Sequence, residues 1–177
     1  IRADNISNDP RIGELWGLIG DHGINASAAW NISSAASEVV VAVIDSGVDI
    51  SHPDLSSVIW TNQDETPGNG IDDDGNGYID DTNGWDFAFN DNSPEDDNGH
   101  GTRVAGTIAA IRNNNIGGAG VANNIKIMPL RFLDSSGNGF TNNAIAALNY
   151  AVANGAPISN NSWGGGGYST SLFNAIE

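Results

Sequence analysis

Asp45 ends an unbroken apolar run, Val39-Val40-Val41-Ala42-Val43-Ile44, and His100 begins the segment His100-Gly101-Thr102-Arg103-Val104-Ala105-Gly106. An aspartate and a histidine can share one task. A carboxylate that holds one imidazole nitrogen fixes the tautomer and leaves the other nitrogen free to take a proton from a nucleophile. The elements around both residues suit that task. A β-branched run closed by Asp45-Ser46-Gly47 reads as a strand buried on both faces that delivers Asp45 to a polar turn. In open parallel sheets, catalytic groups gather at the carboxyl ends of strands. Val104, Ile108 and Ile111 recur at helical spacing after His100, which places the imidazole in the first turn of an amphipathic helix. Gly99 and Gly101 leave room around the ring. Taken singly, each segment also reads as a turn aspartate or a structural histidine.

A second chemistry lies between these segments. Twelve of the 22 carboxylates fall between Asp64 and Asp97. Within them Asp72, Asp74 and Asn76 alternate and Gly77 stands sixth, the spacing that opens an EF-hand-type calcium loop. On that reading Asp72, Asp74 and Asn76 offer side-chain oxygens, Tyr78 a backbone carbonyl, and Asp80 a direct or water-bridged contact. The twelfth position holds Asn83 instead of a bidentate glutamate, which leaves Asp81 as the substitute. The other reading is a solvated acidic loop whose Asn-Gly and Asp-Gly pairs make turns. Close-packed like charges repel unless a cation compensates them, and this favours Ca²⁺.

Composition sets the frame. The 177 residues, 39% apolar, suffice for one core. The absence of cysteine rules out a disulfide scaffold. A net charge of -16 argues against nucleic acid and anionic membranes as partners, because phosphate would be repelled. No stretch is long and apolar enough to span a bilayer, and Ile1-Arg2 does not begin a secretory signal; a start without Met suggests a mature or trimmed chain. Strands are predicted over 125–132 and 157–162, and a helix over 141–154 with Ala144, Ile145, Leu148 and Val152 on its apolar side. Strand, helix and strand in succession imply a mainly parallel sheet with helices on both faces, a three-layer α/β/α architecture. Sequons begin at Asn5, Asn25, Asn31 and Asn160. Residues 2–13 and His22 carry no readable function.

With these segments in view, the chain resembles the subtilisin-like serine proteases along nearly its whole length. The similar stretches are Trp16-Gly17-Leu18, Ala28-Ala29-Trp30, residues 42–55, residues 98–110, and residues 158–166. The resemblance implies a secreted, calcium-dependent serine endopeptidase in which Asp45 orients and His100 acts as base, in the chain order Asp, His, Ser. It implies an extended polypeptide substrate, with Gly137, Asn138 and Gly139 lining one side of the cleft like an edge strand. Ser162, Trp163 and Gly164 would line the other side, with Trp163 beside the first specificity pocket. A propeptide or protein inhibitor is a further implied partner. So is a second calcium site that joins Asp54 to Asn114 by its side chain and Ile116 by its carbonyl.

The departures are specific. Arg103 stands where a second histidine is commonest, as in kexin-like members. Residues 1–177 contain neither a Gly-Thr-Ser-Met-Ala nucleophile segment nor the segment that carries the oxyanion asparagine. Ser162, Ser169 and Ser171 lack the nucleophile's context. The expectation is therefore the N-terminal part of a peptidase domain over 1–177, with an acidic calcium-loop insertion at 61–97, inactive without its serine segment. The alternative is a catalytically silent calcium-binding module with the same architecture.

Overall fold

The computed structural model describes residues 7–32 and 38–177; the Asn5 sequon and Ile1-Arg2 lie outside them. Four parallel strands form one sheet in the order β2-β3-β1-β4, with β1 Val39–Asp45, β2 Trp85–Asp86, β3 Ile125–Arg131 and β4 Ile158–Asn160. β1 and β3 pair along their full length, from Val39 opposite Ile125 to Asp45 opposite Arg131. The apolar run of β1 makes it a central strand, with both faces covered and both ladders filled.

Strand periodicity divides the core. Ala42 and Ile44 of β1 join Met128 and Leu130 of β3 on one face, beneath α4 (Thr141–Ala153) and beside α5 (Thr170–Ile176). Val41 and Val43 join Ile125 and Ile127 on the other face, beneath α3 (His100–Ala109), which contributes Ala105 and Ala109. The expected three layers with a parallel sheet are present. A smaller cluster at the N-terminal end packs Leu18 of α1 (Trp16–Ile19) against Ala26 and Trp30 of α2 (Ala26–Ile32) and Ala119.

Two expectations shift. The buried side of α4 is Ala144, Ala147, Leu148 and Ala151 with Tyr150, whereas Val152 is 73% exposed. Small residues at i, i+3 and i+7 let the helix approach the sheet closely, so alanines mark the face that a hydrophobicity count assigned to valine. Residues 137–139 form no strand. Asp134 N–H donates to the Asn138 carbonyl at 2.8 Å, and the Asp134 carboxylate accepts the N–H groups of Ser136 and Asn138, which ties the segment into a turn.

Candidate functional site

β1 and α3 meet end to end. Asp45 is the last residue of β1 and wholly buried; His100 is the first residue of α3, its side chain half exposed. His100 Nδ1 lies 2.7 Å from Asp45 Oδ1, and the Ser46 N–H donates to the same oxygen at 2.7 Å. Asp45 Oδ2 is buried with no hydrogen-bond partner among the described residues. Glycine makes the junction possible: a Cβ on Gly101 would collide with the Gly47 carbonyl and press on the Asp45 side chain. At Gly47, with φ +104°, a Cβ would strike the carbonyls of Pro94 and Glu95.

Asp96 binds both halves of the junction. Its Oδ1 accepts the Ser46 hydroxyl at 2.9 Å and the N–H groups of Asn98 and Gly99 at 3.0 and 2.8 Å. Its Oδ2 accepts the Thr102 N–H at 2.9 Å and the Thr102 hydroxyl at 2.6 Å. Ser46 Oγ in turn accepts the Gly101 N–H at 3.0 Å. Burial works to raise the Asp96 pKa, but the Thr102 hydroxyl, the Gly99 and Thr102 amides and the Ser46 hydroxyl outweigh it and hold the carboxyl below its usual range. The sequence held a signal for this residue, a carboxylate four positions before a helix start.

Arg131 closes the opposite side. It pairs bidentately with Asp97 at 2.8 and 2.9 Å, approaches Asp86 at 3.4 Å and donates to the carbonyls of Glu95 and Leu133. Part of the acid-rich stretch is therefore compensated by an internal guanidinium. No local sequence signal announces a partner that lies 34 residues away.

The remaining expected cleft residues are dispersed over loops. Trp163 packs edge-on against Phe132 with ring centroids 4.9 Å apart, and its indole N–H is buried without a partner among the described residues. Gly164 is exposed, as are Gly137, Asn138 and Gly139. Ser162 Oγ accepts the Asn160 amide at 2.9 Å. Ser169 Oγ accepts the Leu172 N–H and caps α5, a structural use of that hydroxyl.

In the acidic loop, Asp72 accepts the N–H groups of Asn76 and Gly77 at 3.0 and 2.8 Å, a closed turn. Asn76 donates its amide to Asp74 and Asp81. Asp80 lies apart: at φ +55° its two oxygens accept the Asn69 and Gly70 N–H groups, both at 2.9 Å. Tyr78 turns its ring into the core, 5.0 Å from the ring centroids of Trp85 and Tyr150. Burial, then the hydrogen bond to Asp81, pushes the Tyr150 hydroxyl far up in pKa, so it stays a donor. Glu65, which the loop spacing does not include, joins Asp74 and Asp81 in one cluster of carboxylates.

Asp54 and Asn114 also meet, the Asn114 amide donating to Asp54 Oδ1 at 2.7 Å, while the Ile116 N–H donates to Asn114 Oδ1 at 2.8 Å. Asp9, unnoticed in the sequence, reaches the same loop. It accepts the N–H groups of Asn113, Asn114 and Asn115 and the Ser7 hydroxyl. Burial works to raise its pKa, but the Ser7 hydroxyl and the three amides hold the carboxyl below its usual range.

The Subtilase family profile matches residues 36–177. The chain is 37% identical over 149 residues to the thermophilic serine proteinase of Bacillus sp. (strain AK1), an alignment covering 84% of this chain and 32% of that one. It is 34% identical over 158 residues to thermitase of Thermoactinomyces vulgaris, covering 89% and 48%. Among solved structures, a protease from Pseudoalteromonas arctica PAMC 21717 superimposes with a TM-score of 0.76 at 30% identity, covering 97% of this chain and 55% of that one. A cold-adapted subtilisin-like serine proteinase gives 0.56 at 32% identity over 79% of this chain and 41% of its own. The chain thus spans between 32% and 55% of the length of these relatives. With a parallel sheet between two helical layers and a family match from residue 36 to residue 177, this chain belongs to the subtilase family.

Proposed function

We propose that this chain is the Asp- and His-bearing part of a secreted, calcium-dependent serine endopeptidase acting on extended polypeptides. The carrying observation is the 2.7 Å contact between His100 Nδ1 and Asp45 Oδ1 at the junction of β1 and α3. Asp45 accepts the Nδ1 proton, which fixes the tautomer and turn of the ring. Nε2 makes no hydrogen bond to the described residues, and it serves as base toward a serine hydroxyl and then as acid toward the leaving amine. That serine is expected in a part of the domain that residues 1–177 do not contain, since Ser162, Ser169 and Ser171 lack the nucleophile context and Ser169 is spent as a helix cap. Gly137, Asn138 and Gly139, with the Gly137 and Asn138 backbone held by Asp134, and Ser162, half-buried Trp163 and Gly164 offer two loop tracks along which an extended peptide can lie, with glycine permitting close approach. A propeptide or protein inhibitor would use the same tracks.

Calcium fits the residues present. Asp72, Asp74, Asn76, Asp81 and the Tyr78 carbonyl make up the first oxygen-rich set, with the expected ligand Asp80 turned to the Asn69 and Gly70 amides instead, and Asp54, Asn114 and the Ile116 carbonyl make up the second. Both supply the hard oxygen donors that Ca²⁺ prefers, and the ion's role is to hold the loops against their own charge. The alternative of a catalytically silent calcium-binding module is disfavoured because such a module has no need of an Asp45–His100 pair. Activity decides between them: a chain continued beyond Glu177 that hydrolyses unfolded protein, and loses this in His100→Ala, supports the peptidase. An inactive continued chain that still binds Ca²⁺ supports the silent module.

A further inference from the structure

We infer that Glu65 closes a Ca²⁺ centre with Asp74 and Asp81, so that the ion ties the stretch preceding the loop to the loop itself instead of sitting within the 72–80 run alone. The inference rests on the reading of this loop as calcium-binding and names a ligand that the loop's spacing does not contain. One oxygen each from Glu65, Asp74 and Asp81 lies within 4.8 Å of the others. Two oxygens at 2.3 to 2.6 Å from one ion can stand no more than about 5 Å apart, so the three fit a single shell. Asp81 is fully buried and Glu65 is 7% exposed, yet among the described residues no ion pair reaches any of the three. Buried carboxylates without a counter-charge are strongly disfavoured.

Glu65 supplies an independent sign of a ligand. Its Oε1 accepts the N–H groups of Asp73 and Asp74 at 2.8 and 3.2 Å, which fixes the carboxylate against the loop backbone. Its Oε2 is buried and accepts nothing. The loop also lacks what Glu65 provides. Its twelfth residue, Asn83, donates to the Trp60 carbonyl at 2.9 Å, and Asp80, facing the Asn69 and Gly70 amides, stands outside the cluster of Glu65, Asp74 and Asp81. Behind the cluster, Asn62 donates to Asp81 Oδ1 at 2.9 Å and the Tyr150 hydroxyl to Oδ2 at 2.5 Å, so the centre is anchored to α4 and the core. Oxygen-only donors with no histidine or cysteine select a hard divalent cation, and dense carboxylate ligation favours Ca²⁺ over Mg²⁺.

Tyr78, Trp85 and Tyr150 pack together beside the cluster and can sensitise bound Tb³⁺. Tb³⁺ is titrated into the chain under 280 nm excitation, displaced with Ca²⁺, and the stoichiometry is read by calorimetry. Glu65→Gln is expected to lose one site or weaken it roughly 100-fold, at or beyond the upper end of what loss of a supporting group costs, whereas Asp80→Asn changes it far less. Circular dichroism verifies that each variant is folded. If Glu65→Gln does not fold, the Glu65 carboxyl ¹³C resonance of the unmutated chain reports instead, and it must shift on adding Ca²⁺. Parent-like binding in folded Glu65→Gln together with loss in Asp72→Asn overturns the role of Glu65 and leaves the loop reading standing. An unmutated chain that binds neither ion overturns both.

Discussion

A histidine acting as a base depends on the carboxylate behind it, and Asp96 holds together the segments that bring Asp45 and His100 into contact. In the enzyme carrying its serine, Asp45→Asn keeps the volume but offers Nδ1 the wrong partner, so kcat should fall by about 10⁴ with KM little changed. Steady-state hydrolysis of a peptide substrate measures both. Asp96 makes its own prediction. Its folded pKa lies below the unfolded value near 3.9, so it contributes stability above that value and loses it as pH falls through the folded pKa. Melting between pH 5 and 2 should show a loss of stability that is smaller in Asp96→Asn, which is already weakened at neutral pH; an unchanged acid slope would show that the carboxylate is not linked to folding. The contact between Asp45 and His100 was legible because each sits at a detectable strand end or helix start. Arg131 and Asp9 were not legible because their partners come from distant segments, whereas Asp96, four positions before a helix start, and Glu65, beside the acidic loop, carried local signals that the Asp-x-Asp-x-Asn spacing does not include.

The elements position the site through close approach. Gly101 lets α3 seat against the end of β1, and Gly101→Ala would drive a Cβ into the Gly47 carbonyl. The expected outcome is a lower melting temperature together with loss of activity, because His100 moves with the first turn. A change that left the His100 ring signals in NMR untouched would contradict this. Leu130, wholly buried on the α4 face, gives a comparison for the core. Leu130→Ala should cost about 2 to 5 kcal/mol, measurable by denaturant unfolding, without altering the Asp45–His100 contact. β1 was legible because its unbroken apolar run, Val39 to Ile44, reads as a central strand, and β3 because its stretch stays mostly apolar although Lys126 and Pro129 interrupt it. The face of α4 was misjudged, since burial there follows small size and not hydrophobicity. Residues 137–139 resembled a strand, but Asp134 draws that backbone into a turn, a side-chain effect that periodicity does not register.

At the scale of the whole molecule, a net charge of -16 works against compaction, and bound cations would relieve it. Calcium at about 100 times its dissociation constant should stabilise the fold by about 2.7 kcal/mol per site, so chelation lowers the melting temperature and added Ca²⁺ restores it. A melt indifferent to both would leave the acidic loop as a solvated surface. The central claim is that Asp45 and His100 activate a serine that residues 1–177 do not contain, and covalent labelling with a fluorophosphonate, mapped by peptide mass, tests it most directly. The expected result is stoichiometric labelling of the folded protein continued beyond Glu177, at a serine in that continuation, abolished in His100→Ala and absent from folded residues 1–177. Labelling at Ser162, Ser169 or Ser171, or labelling undiminished in His100→Ala, would contradict it.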